Sequence, residues 1–259
     1  MRKIRFSVDG RNVLCYNFSM SNYDDIVGLS EKFGVNAEYK SNDFYPVFRR
    51  RTEGKKLMLL ADENTAVYAE AFAERLKGFG YVLAVGAGTL NDLAKYTGFR
   101  AGVKCGVLAT AASMDGFTSG VAPLIKKGFK ITENAQTVSD ILIDLDILCA
   151  APSIMTGAGA GDILAKFCCL TDWKMSHLLN GEAYNEEAAS LMRVALDKCV
   201  ENIESIQKRG REGVDALMRA LVISGYAMVI AGNSRPASGA EHHMSHFLEM
   251  DFLRRGERI

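Results

Sequence analysis

The chain has 259 residues, the length of one large domain or two small ones. Lys plus Arg (31) balances Asp plus Glu (31), which argues against a basic nucleic-acid face and an acidic tail. Hydrophobic residues make up 48% and charged residues 24%, a globular composition with enough apolar surface for a core. The N-terminal MRKIRFSVDGRN lacks the apolar run of a signal peptide. No stretch reads as the ~18–20 apolar residues of a membrane span, so no span and a cytoplasmic location are expected. The cysteines, at 15, 105, 149, 168, 169 and 199, form no CxxC pair, and adjacent Cys168 and Cys169 are poorly placed to bridge. They read as reduced thiols, mostly in the core.

In chain order, Lys56–Ala61 is a short apolar run before Asp62 and predicts a buried strand. Asn64-Thr65 can cap a helix over 66–78 that Gly78 and Gly80 end. Tyr81–Val85 is a second strand running into Gly86-Ala87-Gly88-Thr89, with a helix through Leu90–Tyr96. Cys105–Leu108 is a third strand, and Asp140–Leu148 (DILIDLDIL) a fourth. Strand–helix alternation predicts a parallel α/β sheet. After Pro152 the pattern becomes helical: Asp162–Leu170, His177–Leu179, Glu186–Ile206, Glu212–Ala231 and Glu241–Arg255. Pro236 marks a boundary and no proline interrupts those helices. The chain therefore divides near 150 into an α/β part, 1–150, and an all-α part, 151–259.

Four segments carry polar chemistry. Gly86-Ala87-Gly88-Thr89-Leu90-Asn91-Asp92 follows a strand and opens a helix, where backbone N–H groups can cradle a phosphate. It is not a full GxGxxG, because Asn91 takes the third glycine's place; taken alone, it reads more readily as a plain strand-to-helix turn that needs glycine. Thr110-Ala111-Ala112-Ser113-Met114-Asp115-Gly116 also follows a strand, where open α/β sheets bind ligands. Its bland reading is a turn capped by Ser113 or Asp115. In Gly157-Ala158-Gly159-Ala160-Gly161-Asp162, Asp162 reads as the start of a helix, either as its cap or as a metal-binding carboxylate. In Ser238–His246, three of the chain's four histidines fall within five residues, and His242 and His246 share a helix face at i, i+4. His177 has no partner in sequence and reads as structural.

Taken together, GAGTLND, TAASMDGFTS, GAGAGDILAKF with Asp172-Trp173-Lys174, and NSRPASGAEHHMSHFLEM resemble sn-glycerol-1-phosphate dehydrogenases. The similarity is to the bacterial type related to arabinose-operon proteins. It lies within the iron-containing alcohol dehydrogenase and dehydroquinate synthase superfamily and runs in order over about 56–255. It implies a dehydroquinate synthase-like fold: a Rossmann-like NAD(P)-binding domain and an all-α metal- and substrate-binding domain. It implies reversible reduction of dihydroxyacetone phosphate to sn-glycerol 1-phosphate, in phospholipid biosynthesis. By motif match, Gly86, Gly88, Thr89, Leu90, Asn91, Asp92, Thr110, Ala111, Ala112, Ser113 and Ser119 would bind NAD or NADP. Asp162 and His242 would hold one divalent metal, Zn²⁺ first, with Ni²⁺ or Fe²⁺ as alternatives. Asp115, Asp162 and His246 would meet the substrate, with Asp115 and His246 catalytic. Asn233-Ser234-Arg235 would lie near its phosphate, and Asp62 near the adenosine ribose. A homo-oligomer is compatible with the resemblance.

The sequence departs from that pattern twice. The family's second histidine ligand, in a Leu-His-Gly segment after the EHHMSH helix, has no counterpart before Ile259. Lys77–Gly80 also joins two elements that the family separates with additional strand and helix. The alternatives these leave open are a related glycerol dehydrogenase, a dehydroquinate synthase-like enzyme, or a truncated nucleotide-binding chain without catalysis. Weak metal binding is expected from two ligands.

Overall fold

A computed structural model describes residues 3–8, 11–16, 36–39, 50, 53, 56–62, 80–126 and 129–257. The expected helix over 66–78 and the cap at Asn64-Thr65 lie outside these residues. Strands β1 (Lys3–Val8) and β2 (Arg11–Tyr16) pair as an antiparallel hairpin. Strands β3 (Asn36–Tyr39) and β4 (Lys56–Leu60) are the two edges of a five-stranded sheet. Next come β5 (Gly80–Gly86), helix α1 (Gly88–Ala101) and β6 (Cys105–Ala109). A second hairpin, β7 (Val121–Lys126) and β8 (Phe129–Asn134), precedes β9 (Asp140–Ile143). The sheet order is β3-β9-β6-β5-β4, with every pairing parallel. The described residues of β5, and all of β6 and β9, are buried, as continuous apolar runs in a covered parallel sheet should be. Met58 on β4 is 57% exposed, consistent with its edge position.

The helices that follow are α2 (Leu145–Ala150), α3 (Ser153–Leu164), α4 (Lys166–Asn180), α5 (Glu186–Glu201), α6 (Ile203–Gln207), α7 (Arg211–Ala231) and α8 (Ala240–Arg255). Three expectations change here. The apolar run from 140 to 148 is a strand only as far as Ile143. Asp144 then caps α2, accepting from the Asp146 N–H, because a helix start satisfies the backbone that the sheet can no longer pair. The glycine-rich segment at 157–161 is not a loop ahead of a helix but the interior of α3, so Asp162 lies near that helix's end. The helix expected over 186–206 breaks at Asn202, whose side chain donates back to the Lys198 carbonyl.

One apolar core joins β5, β6 and β9 to α3, α4, α5 and α7. Helix α7 is its axis, with Leu217, Met218, Leu221, Val222, Ile223 and Tyr226 fully buried. By length and composition, Ser153–Asn180 and Arg211–Ala231 would each suffice to cross a membrane, which corrects the expectation that no stretch is so apolar. For Arg211–Ala231 the hydropathy has a use inside the protein, where 67% of its apolar window is buried. Among the described cysteines, 105, 169 and 199 are buried, Cys149 is half-buried, Cys168 is exposed, and all are free thiols.

Candidate active site

The site is built at the ends of β5 and β6: β5 passes through Ala87 alone into α1, and β6 runs into the loop at 110–120. The first turn of α1 has no side-chain cap at Ala87 and no acidic residue, so its free N–H groups form an unneutralised positive end. Thr89 is exposed there, while Gly88 and Leu90 are half-buried. Gly86 is buried, and a Cβ on it would come within 2.5 Å of Leu90 Cδ1. A Cβ on Gly88 would sit 3.3 Å from Met114 Cγ, so the loop after β6 lies directly beside the helix start. This geometry fits a dinucleotide pyrophosphate.

Asn91 and Asp92 turn inward instead. Asn91 Nδ2 donates to the Gly116 carbonyl at 3.2 Å, and its Oδ1 is buried without a partner. Asp92 pairs with the fully buried Lys95, whose Nζ also donates to Gly116 O (2.7 Å) and Ser119 Oγ (2.9 Å). Ser119, 1% exposed, is thus spent on holding the loop. Ala111 and Ala112 are 2% exposed, whereas Thr110 and Ser113 are half-buried. No helix begins in 110–120, so neither Ser113 nor Asp115 is a helix cap.

Helix α3 meets this loop without a gap. A Cβ on Gly159 would lie 2.1 Å from the Ala112 carbonyl oxygen, so only glycine permits the approach. One turn on, Asp162 Oδ2 accepts the Asp115 N–H at 2.9 Å. Helix α7 closes the other side, where Ser224 Oγ donates to Asp115 Oδ2 at 2.7 Å and Thr118 Oγ1 to the Val222 carbonyl at 2.8 Å.

Lys166, the first residue of α4, has no exposed surface and sits between the two carboxylates. Its Nζ donates to Asp162 Oδ1 (2.5 Å) and the Ala237 carbonyl (3.1 Å), and lies 2.9 Å from Asp115 Oδ2. Burial works against every charge here. The neighbouring ammonium and Ser224 nevertheless hold the Asp115 carboxyl below the usual carboxylate range. Burial, and then the Asp115 charge, push Asp162 up. The two carboxylates raise Lys166 despite its desolvation, so it stays an ammonium.

The start of α8 is docked on α4: the Ala240 N–H donates to Asp172 Oδ2 (2.7 Å), and Cys169 Sγ donates to Glu241 Oε1 (3.0 Å). This brings His242 close enough to act electrostatically on both Asp115 and Asp162. His242 and His246 stack edge to face, with ring centroids 4.8 Å apart. His246 Nδ1 is buried, without a hydrogen bond, and 3.6 Å from Glu249 Oε2, which Lys130 of β8 engages at 2.6 Å. Burial, then Lys130 and His242, lower the His246 pKa, so the ring is neutral near pH 7. His243 is exposed, and His177 bonds the Glu182 carbonyl beside Tyr184, a structural role. Arg235 donates through Nε and Nη2 to both Glu182 carboxylate oxygens, so it is not a free cation for a substrate phosphate. Asp62 is exposed beyond β4.

The metal fits less well than the nucleotide. Among the described residues no group of three His, Cys, Asp or Glu side chains could hold an ion. Both Asp162 oxygens are already engaged, one by an ammonium. As arranged, these residues do not form a metal site. Lys166, Ser224, Lys95 and Lys130 were not singled out from sequence; the one available signal was the spacing of Asp162 to Lys166 and Asp92 to Lys95 on helix faces.

The parallel sheet, the uncapped helix and the helical pack behind them define a dehydrogenase-type fold. Its solved counterparts include glycerol dehydrogenase from Schizosaccharomyces pombe (TM-score 0.60, 18% identity, 70% of this chain and 56% of that one). Maleylacetate reductase from a Rhizobium species is also similar (TM-score 0.63, 15% identity, 84% and 68%). Residues 47–152 match the iron-containing alcohol dehydrogenase family, and the chain belongs to it. Within that family, the glycerol-1-phosphate dehydrogenase [NAD(P)+] of Bacillus licheniformis is 44% identical over 177 residues, 68% of this chain and 44% of that protein. The Pyrococcus horikoshii enzyme of the same name is 38% identical over 176 residues, 68% of this chain and 51% of that protein. The chain spans about half the length of these relatives.

Proposed function

We propose that the chain carries the nucleotide-binding part (1–150) and a helical, substrate-facing part (151–259) of an NAD(P)-dependent sn-glycerol-1-phosphate dehydrogenase. This would be a cytoplasmic enzyme interconverting dihydroxyacetone phosphate and sn-glycerol 1-phosphate. The observation that carries the reading is the 2.9 Å bond from the Asp115 N–H to Asp162. It ties the loop beside the α1 N-terminus to the carboxylate and histidine cluster, so a nucleotide and a small polar substrate can share one site. The relatives' name supplies the substrate class.

Bound NAD(P)H supplies the hydride. Gly88, Thr89 and Leu90, at the uncapped helix start, would offer backbone N–H groups to its pyrophosphate, with Thr110 and Ser113 as further residues that would hold it. Lys95 and Ser119 act one layer back, fixing the loop's shape. On the substrate side, Asp115 is oriented by Ser224 and Lys166. Neutral His246 is suited to hydrogen-bond the substrate oxygen and exchange a proton with it.

The test is NAD(P)H oxidation by the purified protein with dihydroxyacetone phosphate, and with dihydroxyacetone as control. Turnover is expected only with the phosphorylated ketone. The product should resist an enzyme specific for sn-glycerol 3-phosphate. Oxidation with dihydroxyacetone alone would make it a glycerol-type dehydrogenase instead. A second reading, a nucleotide-binding chain without turnover, draws on the incomplete ligand set among the described residues. It predicts NAD(P)H binding with no oxidation of either kind.

A further inference from the structure

We propose that the outer face of α3 and α4 is the surface through which two copies of this chain pair, antiparallel about a two-fold axis near Cys168. The inference is independent of the dehydrogenase reading.

The face is more apolar than the fold within one chain uses. Ala165 keeps helical backbone angles (φ −58°, ψ −20°) and its N–H donates to the Gly161 carbonyl, so α3 runs into α4 as one rod of 28 residues. Its inner side, with Gly159, Ile163, Lys166, Cys169 and Trp173, packs into the core. Only 33% of its most apolar window is buried, against 67% for Arg211–Ala231. Ile154, Leu178 and Leu179 are 76%, 71% and 79% exposed. All four Asp and Lys side chains of the rod turn to partners inside the chain: Asp162 to Lys166, Asp172 to the Ala240 N–H, and Lys174 to Glu186. The solvent side of a helix ordinarily carries charge, whereas a side stripped of it is built like the core of an interface.

The occupant is a second copy because the face complements itself. Its first half is low: a Cβ on Gly157 or Gly161 would meet nothing within 4 Å, and Ala158 is exposed between them. Its second half is high, with Phe167, Met175, Leu178 and Leu179 standing out. Antiparallel pairing about the midpoint sets the high half of each copy on the low half of the other, as an isologous two-fold interface requires. Weighted by exposure, these four side chains with Ile154 and Leu164 offer on the order of 700 Å², before the small residues are added, against the ~800 Å² per partner of a standard stable interface. A bilayer surface needs no such division into low and high, and it favours Lys or Arg beside the apolar stripe, which this face lacks.

The experiment uses the whole chain. Sedimentation equilibrium over about 1–100 µM should show a reversible rise from 28.3 kDa to twice that mass. Cys168 is exposed near the expected axis, so a short bismaleimide should join the two Cys168 thiols of a pair, identified by peptide mass spectrometry. Replacing both Leu178→Lys and Leu179→Lys should weaken association at least ~10-fold. Gly161→Leu, which has open space within one chain, should weaken it by a similar factor, because it fills the low half. Phe99→Lys, exposed on α1, should leave it unchanged. A chain that stays monomeric throughout overturns the proposal, as does a dimer without the Cys168 link. So does Gly161→Leu with equal or tighter association, or an equal loss in Phe99→Lys. A monomer that floats with phosphatidylglycerol vesicles overturns it too and assigns the face to lipid. If the double lysine variant does not fold by circular dichroism, Gly161→Leu and the crosslink decide. Turnover of dihydroxyacetone phosphate enters none of these readouts, so failure here and failure of the dehydrogenase reading are separable.

Discussion

Lys95 and Lys166 flank the same loop, both with no exposed surface and both about one helical turn after an aspartate, yet they are held differently. Lys95 has a single carboxylate, Asp92, at 3.2 Å, and otherwise a carbonyl and a hydroxyl. Burial wins there: the Lys95 pKa is lowered and that of Asp92 raised, so each partner leans toward its neutral form. Lys166 has two carboxylates at 2.5 and 2.9 Å. The second one tips the balance, and the ammonium is fixed as a charge. A buried lysine beside one acid is thus a staple that can be neutralised. Beside two acids it is a permanent electrostatic element.

That difference is open to breaking by substitution. Lys166→Met strands two buried carboxylates and should cost about 3–5 kcal/mol in chemical denaturation at pH 7. Lys95→Met strands one, already inclined to take a proton, and should cost about 1–3 kcal/mol. Equal losses would sink the comparison. The pH dependence sharpens it. Asp92 has a folded pKa above its unfolded value, so its contribution is full at low pH and fades as pH rises through the folded value. The Lys95→Met deficit should therefore shrink early on acidification. Asp115 is shifted the other way: its contribution holds above the ordinary carboxylate pKa and is lost only as pH falls through the depressed folded value. The Asp162 part of the Lys166→Met deficit, raised like Asp92, should fade together with the Lys95→Met deficit, while the Asp115 part should persist to lower pH.

Much of this molecule was legible in the chain, for identifiable reasons. The central strands were readable because a parallel sheet covered on both faces demands uninterrupted apolar runs, as at Tyr81–Val85 and Cys105–Leu108. The run from 140 to 148 misled because apolarity alone cannot distinguish a buried strand from a buried helix; Asp144, a cap, was the deciding residue. The β7–β8 hairpin went unread despite a Lys-Gly pair at 127–128 between two apolar runs. The segment at 157–161 misled most. Its glycines suggested a ligand loop, but Gly159 serves a helix that presses on the Ala112 carbonyl. Local propensity cannot report that contact, since its cause lies 47 residues away in chain order. Gly159→Ala should push α3 off the loop and cost about 1–3 kcal/mol, with weaker NAD(P)H binding as Thr110–Ser113 shift. Unchanged melting together with unchanged nucleotide affinity would show that the two elements can part freely.

The smallest effect is the most local. His246 is drawn below its ordinary pKa by burial, by Lys130 and by His242, with Glu249 pulling the other way. Lys130 and Glu249 are bonded to each other at 2.6 Å, so the lysine also occupies the one group that would favour a charged imidazole. Lys130→Met removes a repelling cation and frees Glu249 in a single step. Both changes raise the His246 pKa, and imidazole proton shifts followed by NMR should show its titration moving upward. Since a depressed histidine pKa keeps the fold's contribution above the unfolded value and loses it on acidification, the variant should lose less between neutral pH and pH 5. If His246 accepts the hydroxyl proton when sn-glycerol 1-phosphate is oxidised, the acid limb of the pH–rate profile for that direction should move up by the same interval. A limb that stays put while the NMR titration moves would remove His246 from the proton path and leave it only a neighbour of the substrate.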